Sequence, residues 1–194
     1  MKTFHGISSY TNSRYAVFKI TTRLGDVFMK VARDEKIATV EVDAERLLDL
    51  WRGPLSSHAD AAHGTVDTWP SDRKFADAEG GFSDGEWNPV PLSLVSCAFG
   101  DQGTLRFTDG VTRTIWLLTA GATRFPVSRS VDDAPLLQRL AGADGAQYRT
   151  TLELLPTPTE EEALAEMIEL DKRTNADSGS NDRNLRAVSS ATKL

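Results

Sequence analysis

An aspartate, a glycine and an arginine stand at positions 109, 110 and 113, inside the stretch TDGVTRTIWLLTAGATRFPV at residues 108–127. The apolar spacing after Gly110 predicts a helix over 111–120 with Val111, Ile115 and Leu118 on one face. Helix starts favour acids, because the macrodipole is positive there. An arginine in that turn either packs its stem and solvates its head, or meets an anion. The first amides of such a helix have no partner within it. Gly110 lets another group approach the backbone, and the Arg113 fork lies on the same rim, so together they compose a phosphate or carboxylate site. The plainer reading is cap chemistry, since Asp-Gly before a helix is common and G-x-x-R also arises by chance. Asp109, at the expected N-cap, either caps the helix or, with Thr108 and Thr112, holds a metal ion or a water.

Other side chains bear on the same chemistry. Phosphodiester cleavage usually needs Mg²⁺ held by acids, and Glu86 and Asp101 are candidates beside Asp109, as metal ligands or general bases. Arg73 and Lys74, in SDRKF, stand near the expected pocket wall, where Lys74 is a candidate phosphate contact. Between Thr104 and Leu140 the basic residues are Arg106, Arg113, Arg124, Arg129 and Arg139, against Asp109, Asp132 and Asp133, so this segment is the cationic part of the chain. Candidate nucleotide or DNA contacts are therefore Gly110, Thr112, Arg113, Arg124 and Lys74. His58, Asp60 and His63 in SHADAAHG have a spacing that could ligate a metal, or form a solvated loop. Trp51, Trp69, Trp87 and Trp116 read as core or pocket-wall residues, and Cys97 as a small buried hydrophobe.

The elements that must position these residues follow from pattern. Residues 15–22 and 27–32 alternate as two strands joined at Leu24-Gly25-Asp26, and 37–42 is a third strand. Asp43 caps a helix over 44–51 that ends at Gly53-Pro54. Residues 54–70 read as loop, 71–82 as a region with a short helix capped by Ser71, and 88–96 as extended chain. A strand at 104–108 precedes the helix at 111–120, Gly121 stops that helix, and TRFPV leaves as a strand. A helix at 134–141 has Pro135 in its first turn and Gly142 after its end. Residues 147–154 read as a last strand. Thr159 and Glu162 form a capping box for a helix over 160–172, and the polar stretch from 174 to 194 reads as a disordered tail.

The fold class is α+β: one domain over 1–157, a C-terminal helix over 158–173 and the tail. At 40% hydrophobic and 26% charged, the 194 residues have the composition of a soluble globular protein. No apolar run reaches membrane-spanning length, and the first residues show no secretory h-region. One cysteine cannot form an internal disulfide, which fits a cytoplasmic protein. A net charge of −6 argues against coating nucleic acid non-specifically, while leaving room for a local cationic pocket.

The ordered set of motifs resembles the ParB/sulfiredoxin superfamily: Asp109-Gly110 and Arg113, a helix, Gly121, then Phe125-Pro126-Val127, preceded by GEWNPV with Gly85, Pro89 and Val90. Val111 stands where sulfiredoxins carry their cysteine, and Thr112 precedes Arg113 where chromosome-partitioning members have two adjacent arginines. Two phrases, DRKFADAEGGFSDGEWNPVPLSLV and GVTRTIWLLTAGATRFPV, resemble most the plasmid fertility inhibition factors, a family that includes oncogenic suppression and FiwA-type proteins. The resemblance implies a mixed sheet with flanking helices and a block on DNA export through a type IV secretion system. It implies nucleotide hydrolysis and DNA cleavage, hence an ATPase and DNase with ATP and Mg²⁺ as cofactors, and no haem, flavin or PLP. Asp109, Arg113 and Glu86 would then be catalytic, with Asp109 and Glu86 on the metal. Partners would be plasmid DNA or T-DNA and the coupling ATPase of the secretion channel, which places the protein in the cytoplasm or at the inner membrane through that machinery. The alternative is a non-enzymatic inhibitor that binds the coupling ATPase.

Overall fold

Alternating apolar and polar residues make the first strands, and the structure, a computed structural model, describes residues 1–10, 13–98, 104–160, 163, 164 and 168. Strands β2 (Ser13–Thr22) and β3 (Gly25–Ala32) form the expected hairpin, in register from Tyr15 opposite Ala32 to Thr22 opposite Gly25. A strand not expected from the sequence, β1 (Phe4–Tyr10), pairs antiparallel with β2, with a bulge between Phe4 and Gly6. Its glycine and serines carry little hydrophobic signal, so pairing with β2 decides its conformation.

β4 (Ile37–Asp43) is buried along Ala38–Val42 because it lies between strands on both sides. Asp43 accepts the Arg46 amide at 3.0 Å and so caps α1 (Ala44–Trp51) as expected. The stretch read as loop holds a short helix, α2 (Ala59–Ala62), and a 3-10 turn at Trp69–Ser71. α3 (Phe75–Ser83) starts after Lys74, so Ser71 is not its cap. The extended run 88–96 serves two sheets: β5 (Val90–Pro91) pairs parallel with β3, and β6 (Ser93–Ala98) pairs parallel with a later strand. Pro91 cannot donate to a ladder, and it sits on an edge strand.

β7 (Thr104–Asp109) leads into α4 (Val111–Thr119). The expected stripe of Val111, Ile115 and Leu118 is broader in fact: Thr114, Ile115, Trp116 and Leu117 are all buried, because α4 packs on β6 and on α3, where Trp116 stacks on Phe82 at 4.3 Å. Gly121, at φ 78°, ends the helix, its N–H donating to Leu118 at 3.1 Å. β8 (Arg124–Ser130) and α5 (Ala134–Ala141) follow. The expected strand over 147–154 is corrected: only Arg149–Thr150 forms a strand, β9, and Thr151–Leu154 turns into a helix, α6, because Thr150 and Glu153 close a capping box.

The fold is α+β, with two mixed sheets in the orders β1-β2-β3-β5 and β7-β6-β8-β4-β9 among the described residues. α1 and α5 pack on β4 and on each other. One hydrophobic core runs through both sheets, with Phe18, Trp51, Phe125 and Leu137 fully buried. Met1–Leu155 make one compact unit, and the chain from Pro156 on is a second. Asp101, Glu162, most of the expected helix over 160–172 and the tail from 174 lie outside the described residues. No described helix is long and apolar enough to cross a membrane.

Candidate functional site

The chain reverses between β7 and α4 at Gly110, which is left-handed at φ 91° and ψ 17° and occupies the N-cap itself. Asp109 therefore stands one residue before the cap. Its Oδ1 accepts the Gly110 N–H at 2.7 Å, and its Oδ2 accepts Arg113 Nη2 at 2.7 Å. The Arg113 guanidinium beside Asp109 holds that carboxyl below the usual carboxylate range, and burial opposes the effect. No side chain caps α4, so the amides of Val111, Thr112 and Arg113 keep their capacity to donate.

What approaches Gly110 closely is the protein itself. Ser93 Oγ donates to the Gly110 carbonyl at 3.0 Å and lies 3.0 Å from Thr114 Oγ1, tying β6 to the first turn of α4. The glycine is required by this packing and by its positive φ, before any ligand is considered.

In front of this turn opens a cavity of about 480 Å³. It gathers six of the residues singled out for the motif's chemistry in the sequence: Lys74, Thr108, Asp109, Gly110, Thr112 and Arg113. It adds three that sequence reasoning missed as partners of the motif: His58, Asp72 and Asp77. The Arg113 side chain is only 20% exposed, and its Nε makes no hydrogen bond among the described residues. Asp109 also borders a second, more apolar cavity, with Tyr15, Lys30, Leu92 and Leu94 in its wall.

Two candidates stand elsewhere. Glu86 lies on a 3-10 turn, where its Oε1 is 3.1 Å from His5 Nε2, outside the cavity lining. Arg124 begins β8 and donates from Nη1 to Glu41 Oε1 at 3.0 Å. Glu41 is fully buried, and its Oε2 accepts both the Thr3 amide and the Thr3 hydroxyl. Asp109 and Glu86 thus do not converge on a metal position, and the Asp109 oxygens are already engaged. Nor do His58, Asp60 and His63 form such a centre: among the described residues no three His, Cys, Asp or Glu side chains are grouped to hold a metal ion.

The tryptophans divide. Trp51, Trp69 and Trp116 are buried, and the indoles of Trp51 and Trp69 donate to the Ser57 and Ala61 carbonyls. Trp87 is 84% exposed and belongs to no core. Cys97 is buried, and desolvation pushes its thiol up from the ordinary value.

An α+β chain with a polar cavity of mixed charge at a strand–glycine–helix junction is the class that fold and geometry define. A family model described as plasmid fertility inhibition factor matches residues 39–142, more than half of the chain and all of the residues that line the cavity. The protein belongs to the plasmid fertility inhibition factor family. Among solved structures it is similar to a gold(I) cyanide derivative of Oncogenic Suppression Activity Protein, a plasmid fertility inhibition factor. The identity is 25%, the TM-score is 0.64, and the match covers 78% of this chain and 81% of that one. No curated protein matches the chain in sequence.

Proposed function

We propose that this protein blocks conjugative or oncogenic DNA transfer through a type IV secretion system by nucleotide-dependent DNA cleavage at the Gly110–Arg113 cavity. The observation that carries this reading is the meeting of Lys74, Arg113 and the uncapped first turn of α4 on one cavity. Three carboxylates, Asp72, Asp77 and Asp109, share the pocket, so the preference for a polyphosphate rests on Lys74, the unbonded Arg113 Nε and the free amides of α4. The helix dipole adds to that preference. In the proposed role, Arg113 and Lys74 neutralise charge on the phosphate oxygens while water adds to phosphorus and the leaving oxygen departs, taking up a proton. Asp109, kept ionised by Arg113, is a weak base, so it orients the guanidinium rather than accepting a proton. The strand, Gly110, α4, Gly121, strand order further supports the ParB/sulfiredoxin likeness.

The Asp109–Glu86 pair does not fit a resident magnesium, and no step here is routed through one. That misfit favours a second reading: a non-enzymatic inhibitor that binds the coupling ATPase of the secretion channel. Purified full-length protein with labelled plasmid DNA, Mg²⁺, and either ATP or no nucleotide separates the two. ATP-dependent cleavage that disappears in Arg113→Ala supports the nuclease. An intact transfer block in cells carrying Arg113→Ala, with no cleavage in the tube, leaves the inhibitor.

A further inference from the structure

His58 is the only non-glycine residue with positive φ among the described residues, at φ 54° and ψ 39°. Histidine tolerates that region better than most side chains, yet still at a cost that the surrounding structure must hold in place. Here the restraint is visible. The Ser57 amide donates to the Leu105 carbonyl at 3.1 Å, and Ser57 Oγ accepts the Phe107 amide at 2.9 Å. Ser56 Oγ accepts the Leu105 amide at 3.0 Å, and the Ser57 carbonyl accepts the Trp51 indole at 2.7 Å. The loop before His58 is thus sewn to β7, the strand that ends on Asp109. Beyond it, the His58 carbonyl accepts the amides of Ala61 and Ala62 and starts α2.

The side chain repays none of this structurally. It is exposed, it makes no cap for α2, and it has no hydrogen-bonding partner among the described residues. The residue lines the cavity that holds Lys74 and Arg113. A residue held in a costly backbone state in the wall of a cavity that also holds Lys74, Arg113, Asp72 and Asp77, with no internal task for its side chain, has the marks of a group placed for a ligand.

We propose that His58 is a phosphate-contacting residue of this cavity, its imidazole N–H donating to an oxygen of the phosphate that Arg113 binds. The proposal rests on the polyphosphate reading of the cavity and adds a contact from a loop far from the motif in sequence. Its class of ligand is a polyphosphate or nucleoside triphosphate.

The test is titration calorimetry of the full chain with inorganic tripolyphosphate, paired with thermal melting. His58→Gly should melt at or above the wild-type temperature, because glycine adopts the left-handed state freely. Its tripolyphosphate affinity should fall about threefold to tenfold, the range of one lost hydrogen bond. His58→Asn should recover part of that loss, since asparagine tolerates the same backbone and keeps an N–H donor. A His58→Gly protein that binds as wild type, while Arg113→Ala binds weakly, overturns the role of His58 and leaves the cavity reading standing. Unchanged binding in Arg113→Ala, or no binding by wild type, overturns the cavity reading itself and the role of His58 with it.

Discussion

A Cβ atom built on Gly110 would lie 2.7 Å from the Cα of Ser93, so these two residues meet backbone to backbone. Only a glycine permits β6 to lie against the start of α4, and the cavity inherits its shape from that contact. Gly110→Ala must also enter a left-handed state at φ 91°, which costs an alanine about 1–2 kcal/mol before any clash is counted. The expected loss is at least about 2 kcal/mol in urea denaturation. A wild-type midpoint for this variant would show that Ser93 yields easily and that the junction is not rigid.

Arg113 is the next test. Its partner Asp109 is 69% exposed, and an i,i+4 pair of that kind contributes below about 1 kcal/mol. Arg113→Ala should therefore melt close to wild type. Its affinity for tripolyphosphate or ATP should fall about tenfold to a hundredfold, the worth of a charge-assisted contact of about 1.5–3 kcal/mol. Arg113→Lys should recover only part, lacking the planar fork. A large drop in melting temperature with unchanged affinity would make the arginine a strut.

The Asp109 carboxyl carries a pH signature. Its hydrogen bond from Arg113 holds it below the ordinary value of 3.8 in the folded chain. A depressed folded-state value means that ionised Asp109 favours folding above the unfolded carboxylate range, and that the contribution fades as pH falls through the folded value. Asp109→Asn keeps an oxygen for the Gly110 N–H but loses the charge. The stability gap between wild type and Asp109→Asn should hold steady at neutral pH and close in acid below 3.8. The gap should be small and should shrink in salt, because the carboxylate is mostly exposed. A gap that widens in acid would contradict the assignment.

Arg124 should behave in the opposite sense to Arg113. Removing it strands the fully buried Glu41, and breaking a buried pair in this way costs about 3–5 kcal/mol. Arg124→Ala should be strongly destabilised in chemical denaturation yet bind tripolyphosphate as wild type. Adding Glu41→Gln should restore part of the stability by removing the stranded charge. Weakened binding in a folded Arg124→Ala protein would return this arginine to the site.

Much of the framework is legible in the chain because its causes are local. The Asp43 cap of α1, the hairpin of β2 and β3, and the stop of α4 at Gly121 each depend on residues within one turn of each other. The same locality explains one misreading. Threonines and leucines at 150–154 favour a strand, but the reciprocal bonds of Thr150 and Glu153 start a helical turn, and cap geometry outweighs propensity over so short a span.

By itself, then, the sequence determined the α+β alternation, the junction of β7 and α4 at Gly110, and the place of Arg113 in the first helical turn, since these follow from periodicity, turn chemistry and caps. The tertiary structure decided which distant groups join that turn. Lys74 and His58 reach the cavity because α3 packs on α4 and because Ser56 and Ser57 bond to β7. Glu86 and Arg124 are drawn away by His5 and by the buried Glu41. Contacts between residues far apart in the chain are set by packing and by the need to pair buried charge, and no local pattern records either one.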